Sequence, residues 1–252
     1  MIRSICVTIV ALSLLLTLGS VGVVGAYLRM PSGYYQWIYR VFSRAVLWAG
    51  RTPVTVTGLE HIDRDNPQVI ASNHQSMWDI WALAANIPVR YHFVAKKELR
   101  KIPIFGRAVV AGGNVFIDRG NWPSAVESLK IAGRRLKQEG STAVVFPEGT
   151  RSLTGDMQRF KKGPFIMAIE AGVPIVPVVV DGTFEILPKR GFRLCPQPVT
   201  VRFGEPVDAS LYTHDDRDAL IARVHAQMAE MLGRLRAPEG YSGPKRLTEQ
   251  VA

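Results

Sequence analysis

Between Arg3 and Arg29 the chain carries no formal charge for 25 residues, positions 4–28. A helix needs about 20 apolar residues to cross the hydrocarbon core of a bilayer, so this run is long enough. Its centre, Ile9-Val10-Ala11-Leu12-Ser13-Leu14-Leu15-Leu16, is strongly apolar. Its second half, Gly19-Ser20-Val21-Gly22-Val23-Val24-Gly25-Ala26, is weaker and rich in small residues. Three readings stand side by side. A cleaved signal peptide fits the single Arg3 and the small residues at Gly25-Ala26. A spanning helix and a hairpin anchor seated in one leaflet fit the length equally. Residues 1–59 contain five arginines and no acidic residue. Arg29, Arg40, Arg44 and Arg51 all follow the apolar run. If that run spans, the excess of positive charge places the following domain on the cytoplasmic face of the inner membrane.

The next segment sharpens the choice. Tyr34, Trp37, Ile38, Val41, Phe42, Ala45 and Trp48 recur at three- and four-residue spacing, with Gln36, Arg40, Ser43 and Arg44 on other faces. The spacing predicts an amphipathic helix with aromatic anchors and a basic face. Such a helix suits a membrane interface, its arginines turned toward anionic lipid. Packing on its own domain is the plainer alternative. Residues 1–52 are therefore expected to form two membrane-anchoring helices, 53–237 a folded domain, and 238–252 a loose tail.

The 252 residues carry 31 Lys and Arg against 21 Asp and Glu, a net charge of +10. That balance points to an anionic partner: an anionic membrane surface, nucleic acid, or a phosphorylated or CoA-type substrate. Two cysteines, Cys6 and Cys195, exclude a disulfide scaffold and a Cys-based zinc module.

Short apolar runs at 54–56, 69–72, 91–95, 115–117, 142–146, 175–180 and 199–203 read as strands. Helical stretches fall at 78–85, 97–111 (broken at Pro103), 123–139, 164–171 and 215–235. Pro177 argues for an irregular or edge position of its strand. The alternation predicts an α/β fold with a mixed, largely parallel sheet flanked by helices. In such sheets functional loops follow the strand C-termini.

Three of those loops carry chemistry. In Asn73-His74-Gln75-Ser76-Met77-Trp78-Asp79 the carboxylate lies five residues after the imidazole. Folded back, Asp79 would fix one ring nitrogen of His74 and leave the other as a base. A helix-capping Asp beside an incidental His has the same spelling. In Gly112-Gly113-Asn114-Val115-Phe116-Ile117-Asp118-Arg119 the guanidinium of Arg119 follows a strand, where it would grip a phosphate or pair with Asp118. Phe146-Pro147-Glu148-Gly149-Thr150-Arg151-Ser152 is another strand end with a carboxylate and an arginine. Arg159, Lys161 and Lys162 then precede a helix N-terminus, where cations oppose the helix dipole unless an anion sits between them. A fourth segment, Val173-Pro174-Ile175-Val176-Pro177-Val178, is a buried strand without side-chain chemistry.

Taken in order, the four segments resemble the four conserved blocks of the glycerolipid acyltransferases, in particular those acting on 1-acyl-sn-glycerol 3-phosphate. The resemblance covers roughly residues 54–205. It implies acyl transfer to the 2-hydroxyl of that acceptor, forming phosphatidic acid, from acyl-CoA or acyl carrier protein and without a covalent acyl-enzyme. It implies His74 as the general base and Asp79 as its partner. Arg119, Glu148, Gly149, Thr150 and Arg151, helped by Lys161, would bind the glycerol phosphate. No metal or prosthetic cofactor is implied. Another lysolipid acceptor, such as a lyso-ornithine lipid or a lysophospholipid, is the alternative within the family. Outside it stand a catalytically silent membrane scaffold and a basic nucleic-acid binder. The second lacks support, because the aromatics cluster in the apolar N-terminal region rather than among the cations.

Overall fold

The computed structural model describes residues 2–118, 120 and 122–237. Seven strands form one sheet: β1 (Val54–Thr57), β2 (Val69–Ser72), β3 (Tyr91–Lys96), β4 (Val115–Ile117), β5 (Thr142–Val145), β6 (Ile175–Asp181) and β7 (Val199–Phe203), ordered β1-β7-β6-β2-β5-β3-β4. Strands β6, β2, β5, β3 and β4 run parallel to one another. β7 is antiparallel to β6, and β1 is parallel to β7. Five parallel strands therefore deliver their C-terminal loops to one edge of the sheet. The expected mixed, largely parallel α/β architecture is the one observed.

Helices cover both faces, as parallel strands require. On one face lie α5 (Trp122–Glu139), α6 (Gly163–Ala171) and α8 (Arg217–Arg236). Leu129, Phe165, Met167, Leu220, Val224 and Met228 from these helices close over Val69, Ala71, Val145, Ile175 and Val179. On the other face α3 (Trp78–Asn86) packs Trp78, Ala82 and Leu83 against Ile70, Val144, Val176, Val178 and Val180. The alternate residues of β6 thus serve opposite cores, which is why the strand reads as an unbroken apolar run. The short helices α4 (Phe105–Ala111) and α7 (Thr183–Ile186) complete the domain. Gly172 ends α6 in the left-handed conformation, φ 62°, the usual glycine stop. The tail proposed at 238–252 lies outside the described residues.

Pro177 does not mark an edge. β6 lies third in the sheet and is buried along its whole length. The irregular half of the expectation does describe it. Pro177 accepts the Gly204 N–H at 2.8 Å, while Ile175 exchanges bonds with Val207, one residue beyond regular register. The N–H that proline lacks thus falls where the ladder with β7 breaks into a bulge.

Two helices precede the sheet, α1 (Ile2–Tyr27) and α2 (Ser32–Ala49). One stretch of α1, Arg3–Tyr27, is long and apolar enough to cross a membrane. Ile5, Ile9, Leu12 and Leu16 are 54–57% exposed along it. Its glycines, Gly19, Gly22 and Gly25, face inward. A Cβ on Gly25 would stand 2.3 Å from the Tyr34 ring, so only glycine lets the two helices approach. α2 corrects the sequence reading of its faces. The surface it docks contains Tyr35, Gln36, Ile38, Ser43, Val46 and Leu47, while Trp37 and Trp48 are exposed. Arg40 donates to the carbonyls of Ile87 at 2.9 Å and Val89 at 3.4 Å, and Arg44 reaches that of Ala85 at 3.5 Å. Both arginines therefore serve the C-terminal end of α3, where orphan carbonyls and the negative end of the dipole favour cations. Periodicity alone cannot separate a face turned to lipid from one that caps a neighbouring helix.

Candidate active site

β2 ends at Ser72, and Asn73 ends the pairing with its side chain. Its amide donates to the Val180 carbonyl at 2.9 Å and its oxygen accepts the Val180 N–H at 2.7 Å. The chain then leaves the sheet and turns, placing His74 at the C-terminal edge.

Asp79 lies in the first turn of α3, fully buried. Its Oδ2 accepts from His74 Nδ1 at 2.8 Å and from the N–H groups of Gln75 at 2.7 Å and Ser76 at 2.8 Å. Its Oδ1 accepts from the Thr183 hydroxyl. A buried carboxylate is costly unless it is fully hydrogen-bonded, and four donors with the helix N-terminus meet that demand. A ring proton on Nδ1, facing this carboxylate, leaves the lone pair of the neutral imidazole at Nε2. The imidazole stacks on Phe146, centroids 4.0 Å apart and planes 20° off parallel. Phe93 stacks behind Phe146 at 6.4 Å.

The loop after β5 clasps the same histidine from below. Glu148 Oε1 accepts the His74 N–H at 2.9 Å, and Ser152 N–H donates to the His74 carbonyl at 2.8 Å. Glu148 Oε2 accepts from the Gln158 N–H at 3.2 Å and its side-chain amide at 3.0 Å. Glu148 is 2% exposed. Burial pushes its carboxyl up to about 7, aided by the negative charge of Asp79 and opposed by the three donors. Both its oxygens are engaged by donors of the protein, which orders the loop around His74.

Gly149 turns the loop with φ 74°. Lys161 lies close by: a Cβ on Gly149 would touch its Cγ at 3.4 Å. The hydroxyl of Thr150 accepts from Lys189 Nζ at 2.8 Å. Arg151 is half-buried and Lys161 exposed, and neither side chain has a hydrogen-bond or ion-pair partner among the described residues. Lys162 instead pairs with Asp218 at 3.2 Å. Asp118 pairs with Lys97 on the neighbouring strand end. Arg119 lies outside the described residues. The structure thus gathers His74, Asp79, Glu148, Gly149, Thr150, Arg151 and Lys161 on one edge.

Three participants were not visible as such in the sequence. Thr183 follows β6, and only the adjacency of β6 to β2 brings it to Asp79. Gln158 sits in a polar loop with no pattern. Lys189, in Pro188-Lys189-Arg190, is one basic residue among many until Thr150 is seen beside it.

Comparison with known proteins agrees with this arrangement. The Acyltransferase family model matches residues 53–181. The 1-acyl-sn-glycerol-3-phosphate acyltransferase of Cocos nucifera is 32% identical over 198 residues, covering 79% of this chain and 64% of that protein. The human alpha enzyme of the same name is 35% identical, covering 69% of this chain and 62% of the relative. That of Saccharomyces cerevisiae is 34% identical, with 82% and 68% covered. The chain thus spans somewhat under two thirds of the plant and human relatives. The crystal structure of the 1-acyl-sn-glycerophosphate (LPA) acyltransferase PlsC from Thermotoga maritima superposes with a TM-score of 0.81 at 28% identity, covering 94% of this chain and 96% of that one. With the family model matching half the chain over its histidine, glutamate and arginine loops, and the fold shared almost end to end, the chain belongs to the acyltransferase family.

Proposed function

We propose that this protein transfers an acyl group from a thioester, acyl-CoA or acyl carrier protein, to the 2-hydroxyl of 1-acyl-sn-glycerol 3-phosphate. The observation that carries the reading is the His74–Asp79 pair, held at 2.8 Å on the same edge as partner-free cations. His74 Nε2 takes the proton of the acceptor hydroxyl. The oxygen attacks the thioester carbonyl, a C–O bond forms, and the C–S bond breaks. The departing thiolate takes the proton back from His74. Asp79 stabilises the imidazolium between these steps. No side chain needs to carry the acyl group, and the scheme calls for no metal or prosthetic group. Arg151, Lys161 and Lys189 hold the acceptor phosphate, with Gly149 and Thr150 shaping the turn and Glu148 ordering it; Arg119 is assigned to the same phosphate by the family resemblance.

In this reading α1 holds the domain at an anionic membrane surface, on the cytoplasmic side, where the amphiphilic acceptor and product reside. Acceptor and donor are its partners; nucleic acid is not.

The test is acyl transfer by detergent-solubilised protein with labelled acyl-CoA, or acyl carrier protein, and three acceptors: lysophosphatidate, lysophosphatidylcholine and glycerol 3-phosphate. Labelled phosphatidic acid is expected from the wild type, with kcat reduced about 10³-fold in His74→Ala, the usual worth of a general base. Wild-type turnover in His74→Ala, or label in the other acceptors only, overturns the assignment.

A further inference from the structure

The active-site edge carries a loop of which acyl transfer uses only Lys189. Residues 187–194 form a loop whose stem is fixed and whose tip is bare. Its start is tied to the histidine loop, Ser76 Oγ donating to the Leu187 carbonyl at 2.7 Å. Lys189 joins it to Thr150. Cys195 N–H closes it on the Ile186 carbonyl at 3.0 Å, and Leu194 N–H donates to Ser4 Oγ of α1 at 2.9 Å. At the tip Phe192 is 84% exposed.

A single exposed apolar residue means little by itself. Here a second accompanies it. Trp48, 82% exposed, ends α2 on the same edge. Thr52, just beyond, accepts from the Trp78 indole at 3.1 Å, where α3 begins after the histidine loop. These two are the most exposed large apolar side chains among the described residues. Arginines flank both: Arg190 and Arg193 beside Phe192, Arg51 beyond Trp48. No acidic residue lies between Glu185 and Glu205, nor before Glu60. The exposed apolar side of α1 starts at Ile5, next to the Ser4 that receives the loop.

Aromatic side chains with cationic neighbours are the chemistry of an interfacial contact with anionic lipid. We propose that the 187–194 loop, with Trp48, is a second membrane contact, seating the rim of the active site on an anionic bilayer. Phe192 enters the acyl boundary, and Arg190 and Arg193 meet lipid phosphates. The loop then fixes the height of His74 above the headgroups. This rests on the acyl-transfer reading for its purpose, but not for its observation.

The experiment uses the full chain with Cys6→Ser and Cys195→Ser. An environment-sensitive fluorophore is placed through Phe192→Cys or, as control, Asp65→Cys on the opposite edge. On phosphatidylglycerol-containing vesicles the label at 192 is expected to shift to the blue and resist an aqueous quencher, while that at 65 stays quenchable. A label at 192 as accessible as that at 65 overturns the proposal, whatever the protein's activity. In otherwise native protein, Phe192→Ser and the Arg190→Gln/Arg193→Gln pair are each expected to slow acylation of bilayer-borne lysophosphatidate about tenfold, with a short-chain, monomeric lysophosphatidate turned over at the wild-type rate. Equal loss on both substrates would place these residues in the chemistry instead and refute a membrane role. Absence of turnover with every substrate would count against acyl transfer, and the fluorescence would still decide the loop.

Discussion

Glu148→Gln separates charge from shape at the centre of the site. In the native protein the Glu148 carboxyl lies near 7, against 4.5 when solvated. A folded state that binds its proton more tightly is stabilised below the unfolded value and loses that contribution as pH rises through the folded one. The rise of about 2.5 units is worth about 3 kcal/mol, lost between pH 4.5 and pH 7. Glutamine removes this slope. It also keeps only one acceptor oxygen for donors that reach both carboxylate oxygens, the N–H of His74 on one and the N–H and amide of Gln158 on the other. Hydrogen bonds to a charged group are worth about 1.5–3 kcal/mol each, so the two changes roughly cancel at pH 7.5. Stability there should match the wild type within about 1 kcal/mol. The wild-type Tm should fall between pH 4.5 and pH 8 by about 6–12 °C more than that of the variant, at about 2–4 °C per kcal/mol. Meanwhile kcat should drop about tenfold, because the His74 loop loses part of its clasp. Thermal unfolding in detergent across that range, with kcat in parallel, makes the test. Identical pH slopes in both proteins would refute the role of Glu148 as the titrating clasp.

Thr183→Val removes a donor to Asp79 and leaves its size nearly unchanged. It should cost about 1 kcal/mol or more of stability, read by denaturation, and about tenfold in kcat with KM little altered. Arg151→Ala and Lys189→Ala should raise KM for lysophosphatidate about tenfold or more while changing kcat less, in steady-state kinetics with donor saturating.

The strands and most helices were legible because their signals are local. Apolar runs of three to six residues separated by glycine and proline punctuation predict elements without knowledge of partners. The His74–Asp79 pair was legible for the same reason: five residues and one turn place them together. Glu148 was visible as a residue, but its contacts within the protein were not. An ionisable side chain at a strand end reads as a ligand to substrate, and only the adjacency of β2 and β5 shows its oxygens already engaged. Thr183 and Lys189 depend on contacts more than 35 residues apart in sequence, which no spacing rule reports. The arginines of α2 were ambiguous because a basic face has two satisfactory neighbours, lipid phosphate and the carbonyl end of a helix.

The proline in β6 also has a bearing on assembly. Pro177 offers no N–H to β7, so sliding β7 along β6 would set a carbonyl opposite a missing donor or destroy the bulge at Val207. It therefore acts as a pin against misalignment. Among the described residues β1 pairs with β7 alone, and α2 leads directly into β1. One imino acid in the middle of the sheet thus guards the alignment of the outermost strand, and through it the place where the N-terminal hairpin is stitched to the domain.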